Sequence, residues 1–76
     1  MKELLELIVK NLVGNEAIVE EVSDEERVVL TIKVPQEKIG LVIGKQGHII
    51  KAIQDLIRIK ATLLKKYVSI KVEPIV

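Results

Sequence analysis

The sequence predicts one α+β domain in which three helices cover one face of a three-stranded mixed sheet. Two observations carry this prediction. Apolar residues recur at helical spacing in residues 2–13 and 48–65, and an apolar face alternates with a mixed one in residues 27–34. A chain of 76 residues is short enough that one core must serve all of it, so residues 1–76 are predicted to form a single domain.

The first element is a helix over residues 2–13. Its apolar residues lie three and four positions apart: Leu4, Leu5, Ile8, Val9, Leu12 and Val13. Gly14 and Asn15 follow, and this pair supplies the left-handed stop that helices favour. Residues 17–22 are then predicted to form a short strand, and the polar residues 23–26 a turn.

Residues 27–34 form the clearest strand. Its apolar face alternates with a mixed face, as expected where helices cover only one side of a sheet. The apolar face holds Val28, Leu30, Ile32 and Val34. Pro35 ends the strand and can open a helix, where its missing N–H costs nothing.

Two helices and a last strand follow. A short helix over residues 36–43 stops at Gly44, a long helix runs from 48 to 65, and residues 67–73 alternate again. The order is therefore α-β-β-α-α-β. The first two strands are predicted to form a hairpin, and the two helices before the third strand are long enough for a parallel crossover.

The long helix is apolar over an unusually wide arc. One apolar row holds Ile50, Ile53, Ile57, Ala61 and Leu64, and a second row beside it holds Ile49, Ala52, Leu56, Ile59 and Leu63. A helix this apolar must touch more than the sheet. Packing of the second row against the first helix is the preferred explanation, and a protein–protein surface is the alternative.

Composition limits the classes of function. The chain has no cysteine, which excludes disulfides and thiolate metal sites, and its longest apolar runs are too short to cross a membrane. The single histidine, His48, is accompanied by no cysteine and no clustered carboxylates. No catalytic residue, metal site, cofactor or small-molecule substrate is therefore predicted. We expect a soluble cytoplasmic protein that binds its partner without transforming it.

Charge divides the chain into two parts. Residues 1–26 hold two basic and eight acidic residues, whereas residues 27–76 hold ten basic and three acidic ones. Such asymmetry suggests an anionic partner for the second part. The alternative is that ordinary solvated faces happen to segregate in this way.

Residues 44–47, Gly-Lys-Gln-Gly, bridge two predicted helices. A tight turn would explain the glycines alone, but Lys45 stands at the apex and Lys51 follows one turn into the next helix, whose N-terminus attracts anions. We therefore expect the bridge to bind a phosphate backbone. Three residues separate Gly40 from Gly44, where a Walker A loop needs four, and the dinucleotide fingerprint G-x-G-x-x-G is absent.

Residues 39–53 resemble the core signature of the K-homology (KH) domain, V-I-G-K-x-G-x-x-I-K-x-I, which matches from Val42 to Ile53. The order of elements is similar to the type II KH arrangement of bacteria. Length and loop together resemble the small stand-alone bacterial KH-domain RNA-binding proteins of the KhpA type. The resemblance implies a GXXG loop that clamps four nucleotides of single-stranded RNA. It also implies a general, chaperone-like regulatory role.

The resemblance also implies roles for individual residues. The loop residues implied to hold the sugar-phosphate backbone are Gly44, Lys45, Gln46 and Gly47, with His48 and Lys51 beside them. The residues implied to border or support the base groove are Gly40, Ile43, Ile50, Leu30, Thr31 and Ile32. Ile53 is expected to serve only the core. The acidic turn at 23–26 would be the variable loop that faces the groove from its other side.

Related sequences often carry a basic residue where this chain has Leu41, His48 and Gln54, so weak binding with little sequence preference is expected. Two alternatives stay open. One is a helix-hairpin-helix DNA binder, although its h-G-h-G spacing (h, hydrophobic) is absent. The other is a protein–protein interaction module with weak or vestigial RNA binding. The resemblance implies pairing with a second copy or with a larger KH-containing protein, which is compatible with RNA binding.

Overall fold

The computed structural model describes residues 1–75, and it confirms the predicted α-β-β-α-α-β order. The helices are α1 (Lys2–Val13), α2 (Ile39–Ile43) and α3 (His48–Leu63). The strands are β1 (Ile18–Ser23), β2 (Arg27–Pro35) and β3 (Tyr67–Ile75). Two 3₁₀ turns, Gln36–Lys38 and Lys45–Gly47, precede α2 and α3.

β2 is the central strand of the sheet, between β1 and β3. It pairs with β1 in antiparallel register, where Val19 lies opposite Ile32, and with β3 in parallel register, where Leu30 lies opposite Ile70. The predicted hairpin and parallel crossover are therefore both present, and the mixed sheet of the predicted α+β fold is confirmed.

The helix-facing side of β2 forms the centre of the core. Its four residues are at most 2% exposed: Val28, Leu30, Ile32 and Val34. The helices cover them with Leu5, Val9 and Val13 of α1 and with Ile53, Ile57 and Ala61 of α3. Burial of each large aliphatic side chain contributes about 1.5–3 kcal/mol. The predicted core role of Ile53 is confirmed.

An aspartate holds the turn between β1 and β2. The carboxylate of Asp24 accepts hydrogen bonds from the backbone N–H groups of Arg27 and Glu26, both at 2.8 Å. These two bonds lower the pKa of the Asp24 carboxyl, and the charges of Arg27 and Lys66 lower it further. The predicted acidic turn is thus an Asx turn that closes the hairpin.

The C-terminus of α3 comes two residues earlier than predicted, because the chain reverses at Lys65 with φ +57. The N–H of Lys65 donates to the carbonyl of Thr62 at 3.0 Å, and the N–H of Lys66 donates to the carbonyl of Ala61 at 2.9 Å. These bonds form a Schellman motif, whose left-handed position is usually glycine. A lysine there carries backbone strain of roughly 1–2 kcal/mol.

The second apolar row of α3 is largely exposed, which corrects the expectation that α1 covers it. Ile59 is 61% exposed and Leu63 is 78% exposed. An open groove of about 500 Å³ lies between α1 and α3, with Leu12 and Leu56 among its walls. Only the part of the row nearest Ile49 packs on the core.

Candidate nucleic-acid interface

The bridge between α2 and α3 turns through three residues with positive φ. Gly44 has φ +76, Gln46 has φ +59 and Gly47 has φ +75. The N–H of Gly44 donates to the carbonyl of Gly40 at 2.8 Å and ends α2, and the N–H of Gly47 donates to the carbonyl of Gly44 at 3.2 Å. The predicted bridge between two helices is therefore a short, internally bonded loop at the surface.

The two glycines of the loop are needed for different reasons. A Cβ added to Gly44 would lie 2.5 Å from Cγ1 of Ile49, whereas a Cβ added to Gly47 would meet nothing within 4 Å. Both positions disfavour a side chain through their positive φ. Gly44 thus also allows the loop to pack against the first turn of α3.

The surface of the loop is suited to an anion. Lys45 and Gln46 are exposed at the apex, and Lys51 is exposed one turn into α3. Lys45 forms no salt bridge with any other residue of the part of the chain that the structure describes. No side chain within residues 1–75 caps the N-terminus of α3, so the positive end of its dipole lies beside exposed His48 and the loop. Phosphate oxygens are the acceptors that such a site favours.

A groove runs along α3, and β3 forms its other wall; polar and apolar side chains both line it. The helix-facing residues of β3 are half-buried against the core: Val68, Ile70 and Val72. A cleft of about 270 Å³ lies between this strand and the Gln54 and Arg58 side of α3. Ile50 lies one helical turn before Gln54 and is also half-buried, so it continues the groove toward the loop.

The β2 residues that are predicted to border or support this groove lie on two sides of the sheet. Leu30 and Ile32 are 0% exposed, because β2 is the central strand and the helices cover its inner face. Thr31 points to the opposite, helix-free face, where it lies beside Lys71 of β3. A supporting role for Leu30 and Ile32 beneath the groove stays a prediction.

The remaining predicted residues lie near the loop. Ile43 is half-exposed in the last turn of α2, and Gly40 is exposed with open space where a side chain would be. Leu41, at an often-basic position, is 51% exposed and brings no charge to this surface. The cations beside the loop are therefore Lys45 and Lys51.

The acidic turn, which is predicted to face the groove from its other side, lies at the end of α3 farthest from the loop. The N–H of Tyr67 donates to the carbonyl of Glu26 at 2.8 Å, which places the turn beside the connection from α3 to β3. The 16 residues of α3 span about 24 Å and separate this turn from the loop. Its carboxylates are too distant to face a strand held at residues 44–47.

The glycine loop joins two helices, α2 and α3, that pack on a three-stranded sheet, and this arrangement can be compared with known families. The family model described as "KhpA/KhpB, KH domain" matches residues 2–72, which is nearly the whole chain. The chain belongs to this family. It is 45% identical to the RNA-binding protein KhpA of Clostridium acetobutylicum over 74 residues, which are 95% of this chain and 99% of the relative. It is 45% identical to that of Clostridium perfringens over 75 residues, 96% of this chain and 97% of the relative. It is 39% identical to that of Caldanaerobacter subterraneus over 74 residues, 95% and 99% of the two chains.

Sequence reasoning missed one wall of the groove in this KH domain. The residues concerned are Arg58, Val68, Ile70 and Val72. The alternation in residues 67–73 was visible, but periodicity does not reveal which strand lies at the edge of a sheet beside α3. The position of β3 follows only from its pairing with β2 on the side away from β1.

Two kinds of feature are absent from the described residues. No helix within residues 1–75 is long and apolar enough to span a membrane. No group of three or more histidine, cysteine, aspartate or glutamate side chains in the same residues is placed to hold a metal ion.

Proposed function

We propose that this KH domain binds single-stranded RNA without catalysis, as a general, chaperone-like regulator in the cytoplasm. Residues 44–47 grip the sugar-phosphate backbone, and bases lie in the groove between α3 and β3. The observation that carries the proposal is the exposed glycine loop with Lys45 at its apex, at the start of the helix that forms one wall of the groove. The relatives named as RNA-binding proteins support it.

The character of the groove supports weak binding with little base preference. Its aliphatic surface comes from Ile50 on α3 and from Val68 and Ile70 on β3, and the polar side chains beside it are Gln54, Arg58 and Ser69. Aliphatic side chains contact any base through its flat face but offer no hydrogen bonds to its edge. Phosphate neutralisation by Lys45 and Lys51 then supplies much of the affinity, and that part is independent of sequence.

The proposal is tested by competition between single-stranded RNA and duplex DNA at several salt concentrations. Single-stranded RNA should win, and its affinity should fall with salt by a log–log slope of about −0.7 for each phosphate contacted. A preference for duplex DNA would favour the helix-hairpin-helix alternative, which the flanking strands β2 and β3 do not support. An affinity independent of salt would contradict the backbone grip.

A second, compatible function is pairing with another KH domain. The outward face of α3 exposes Leu56, Ile59 and Leu63, and α1 exposes Leu7. Large apolar side chains grouped on one helix face are typical of a protein interface. A two-fold dimer, or a heterodimer with a larger KH-containing protein, would cover them and set two weak RNA sites side by side, which raises avidity.

Replacing Ile59 by lysine should abolish self-association. Ile59 is 61% exposed in the single chain, so the lysine costs little stability there but would bury a charge in the interface. Sedimentation equilibrium of both proteins measures the effect, and Lys60→Arg serves as the control on the same helix. A wild-type chain that stays monomeric at high micromolar concentration would exclude the homodimer and leave only the larger partner.

A further inference from the structure

A second cleft lies at the end of the groove farthest from the loop, where α3 connects to β3. It has a volume of about 490 Å³, and its walls are Arg58, Thr62, Lys65, Lys66, Tyr67 and Val68. Arg58 and Val68 also line the smaller cleft of the base groove, so the two spaces are continuous. Three of the six wall residues are cations and none is acidic.

The cations of this far cleft are little used by the fold. Lys65 forms no salt bridge with any other residue of the described part of the chain. Arg58 reaches only Asp55, at 3.6 Å on an exposed surface, where an ion pair is worth little. Lys66 is turned toward the hairpin, since its Nζ donates to the carbonyl of Asp24 at 3.4 Å. Arg58 and Lys65 are therefore the charges available to a ligand.

Two further features of the cleft do not stabilise the fold. Lys65 occupies a left-handed position that glycine or asparagine would fill with less strain. Tyr67, the only aromatic residue of the chain, is 75% exposed and contributes little to the core. A tyrosine ring at the surface beside Arg58 and Lys65 offers a base a stacking platform next to its phosphate.

We propose that the far cleft holds a further nucleotide of the same RNA strand, with its phosphate near Arg58 and Lys65 and its base against Tyr67. The footprint of the domain then extends beyond the four nucleotides that a GXXG loop clamps. The acidic turn at 24–26 lies just beyond Lys66 and repels phosphate, so the strand leaves the domain there. This inference rests on the proposed RNA binding and specifies its extent.

The test compares a tetranucleotide with an oligomer of about seven uridines, which offers about four registers to a four-nucleotide site. The number of registers alone therefore gives the wild-type chain an affinity about fourfold higher for the longer oligomer than for the tetranucleotide, and we call this ratio of affinities the gain. One added phosphate contact and one stacked base should raise the gain to more than about tenfold and make the salt slope steeper by about 0.7.

Three variants show which side chains produce the part of the gain that exceeds the register value. The double variant Arg58→Gln, Lys65→Asn removes both charges, and asparagine tolerates the left-handed backbone at 65. It should reduce the gain to the register value and restore the shallower slope. Tyr67→Thr, which keeps strand propensity, should reduce the gain without changing the slope. The control Lys10→Gln, Lys60→Gln removes two exposed helical charges elsewhere and should change neither quantity.

The possible outcomes separate the inference from the proposed function. A wild-type gain equal to the register value overturns the proposal that the far cleft holds a nucleotide. A double variant that weakens the binding of both oligomers equally, or of neither, overturns it as well. A chain that binds neither oligomer contradicts RNA binding itself, whatever the variants do. Amide shifts confined to residues 64–68 on addition of the longer oligomer alone would support the assignment directly.

Discussion

Replacing Lys45 and Gln46 by aspartates should abolish RNA binding and leave the fold unchanged. Both side chains are exposed at the apex of the loop, so two carboxylates there repel phosphate without touching the core. Gln46 has φ +59, a conformation that aspartate adopts more readily than most residues. We expect circular dichroism and the melting temperature to stay close to wild type, while RNA titrations show no saturable binding.

A charge-matched control separates the effect of the loop on RNA binding from the effect of the net charge of the protein. Lys45→Asp alone should remove most of the binding, whereas Lys60→Asp makes the same change in charge on a different side of α3 and should have a much smaller effect. Residues 58 and 60 are about 200° apart around the helix, so Lys60 does not face the groove. Equal losses in the two single variants would mean that the loop is only a turn and that binding depends on overall charge.

Gly44→Ala should be far more destabilising than Gly47→Ala. An alanine at positive φ costs about 1–2 kcal/mol at either position. At Gly44 the new methyl would also lie 2.5 Å from Ile49, and such overpacking adds about 1–3 kcal/mol, whereas the space at Gly47 is open. We expect a total loss of about 2–5 kcal/mol at Gly44, which is a large part of the stability of a domain of this size.

Urea denaturation of the two alanine variants measures this difference. Because Gly44 packs against the first turn of α3, its substitution should also displace the loop and weaken RNA binding under conditions in which the variant is still folded. Gly47→Ala should retain more of both properties. Equal free energies of unfolding for the two variants would show that Ile49 does not pack against the loop as the structure has it.

Local patterns were sufficient to predict the elements and their order. The alternation in residues 27–34 predicted both the strand and the side of it that is buried, because every second residue of a strand faces the same way. The glycines at 44 and 47 likewise predicted the loop. Their spacing did not show which of the two tolerates a side chain less well. Only the close approach of Ile49 makes a side chain at Gly44 more costly than one at Gly47.

The rest depended on contacts between distant parts of the chain. Leu30 and Ile32 were assigned to the groove through the resemblance to the KH domain, and the periodicity of β2 does not show whether helices cover its apolar face completely. The exposure of Ile59 depends on which faces of α3 the sheet and α1 leave uncovered, which the helical pattern of α3 could not reveal. The left-handed Lys65 lacks the glycine that usually signals a helix end, so the earlier end of α3 was missed.

The central claim is that RNA lies against the loop and the groove between α3 and β3. The most direct test is an NMR titration of the labelled protein with a single-stranded RNA oligomer, in which each backbone amide is followed. We predict that the largest shifts occur at residues 44–51, at Gln54 and at residues 68–72. Shifts concentrated on the outward face of α3 near Ile59, with the loop unchanged, would contradict the account.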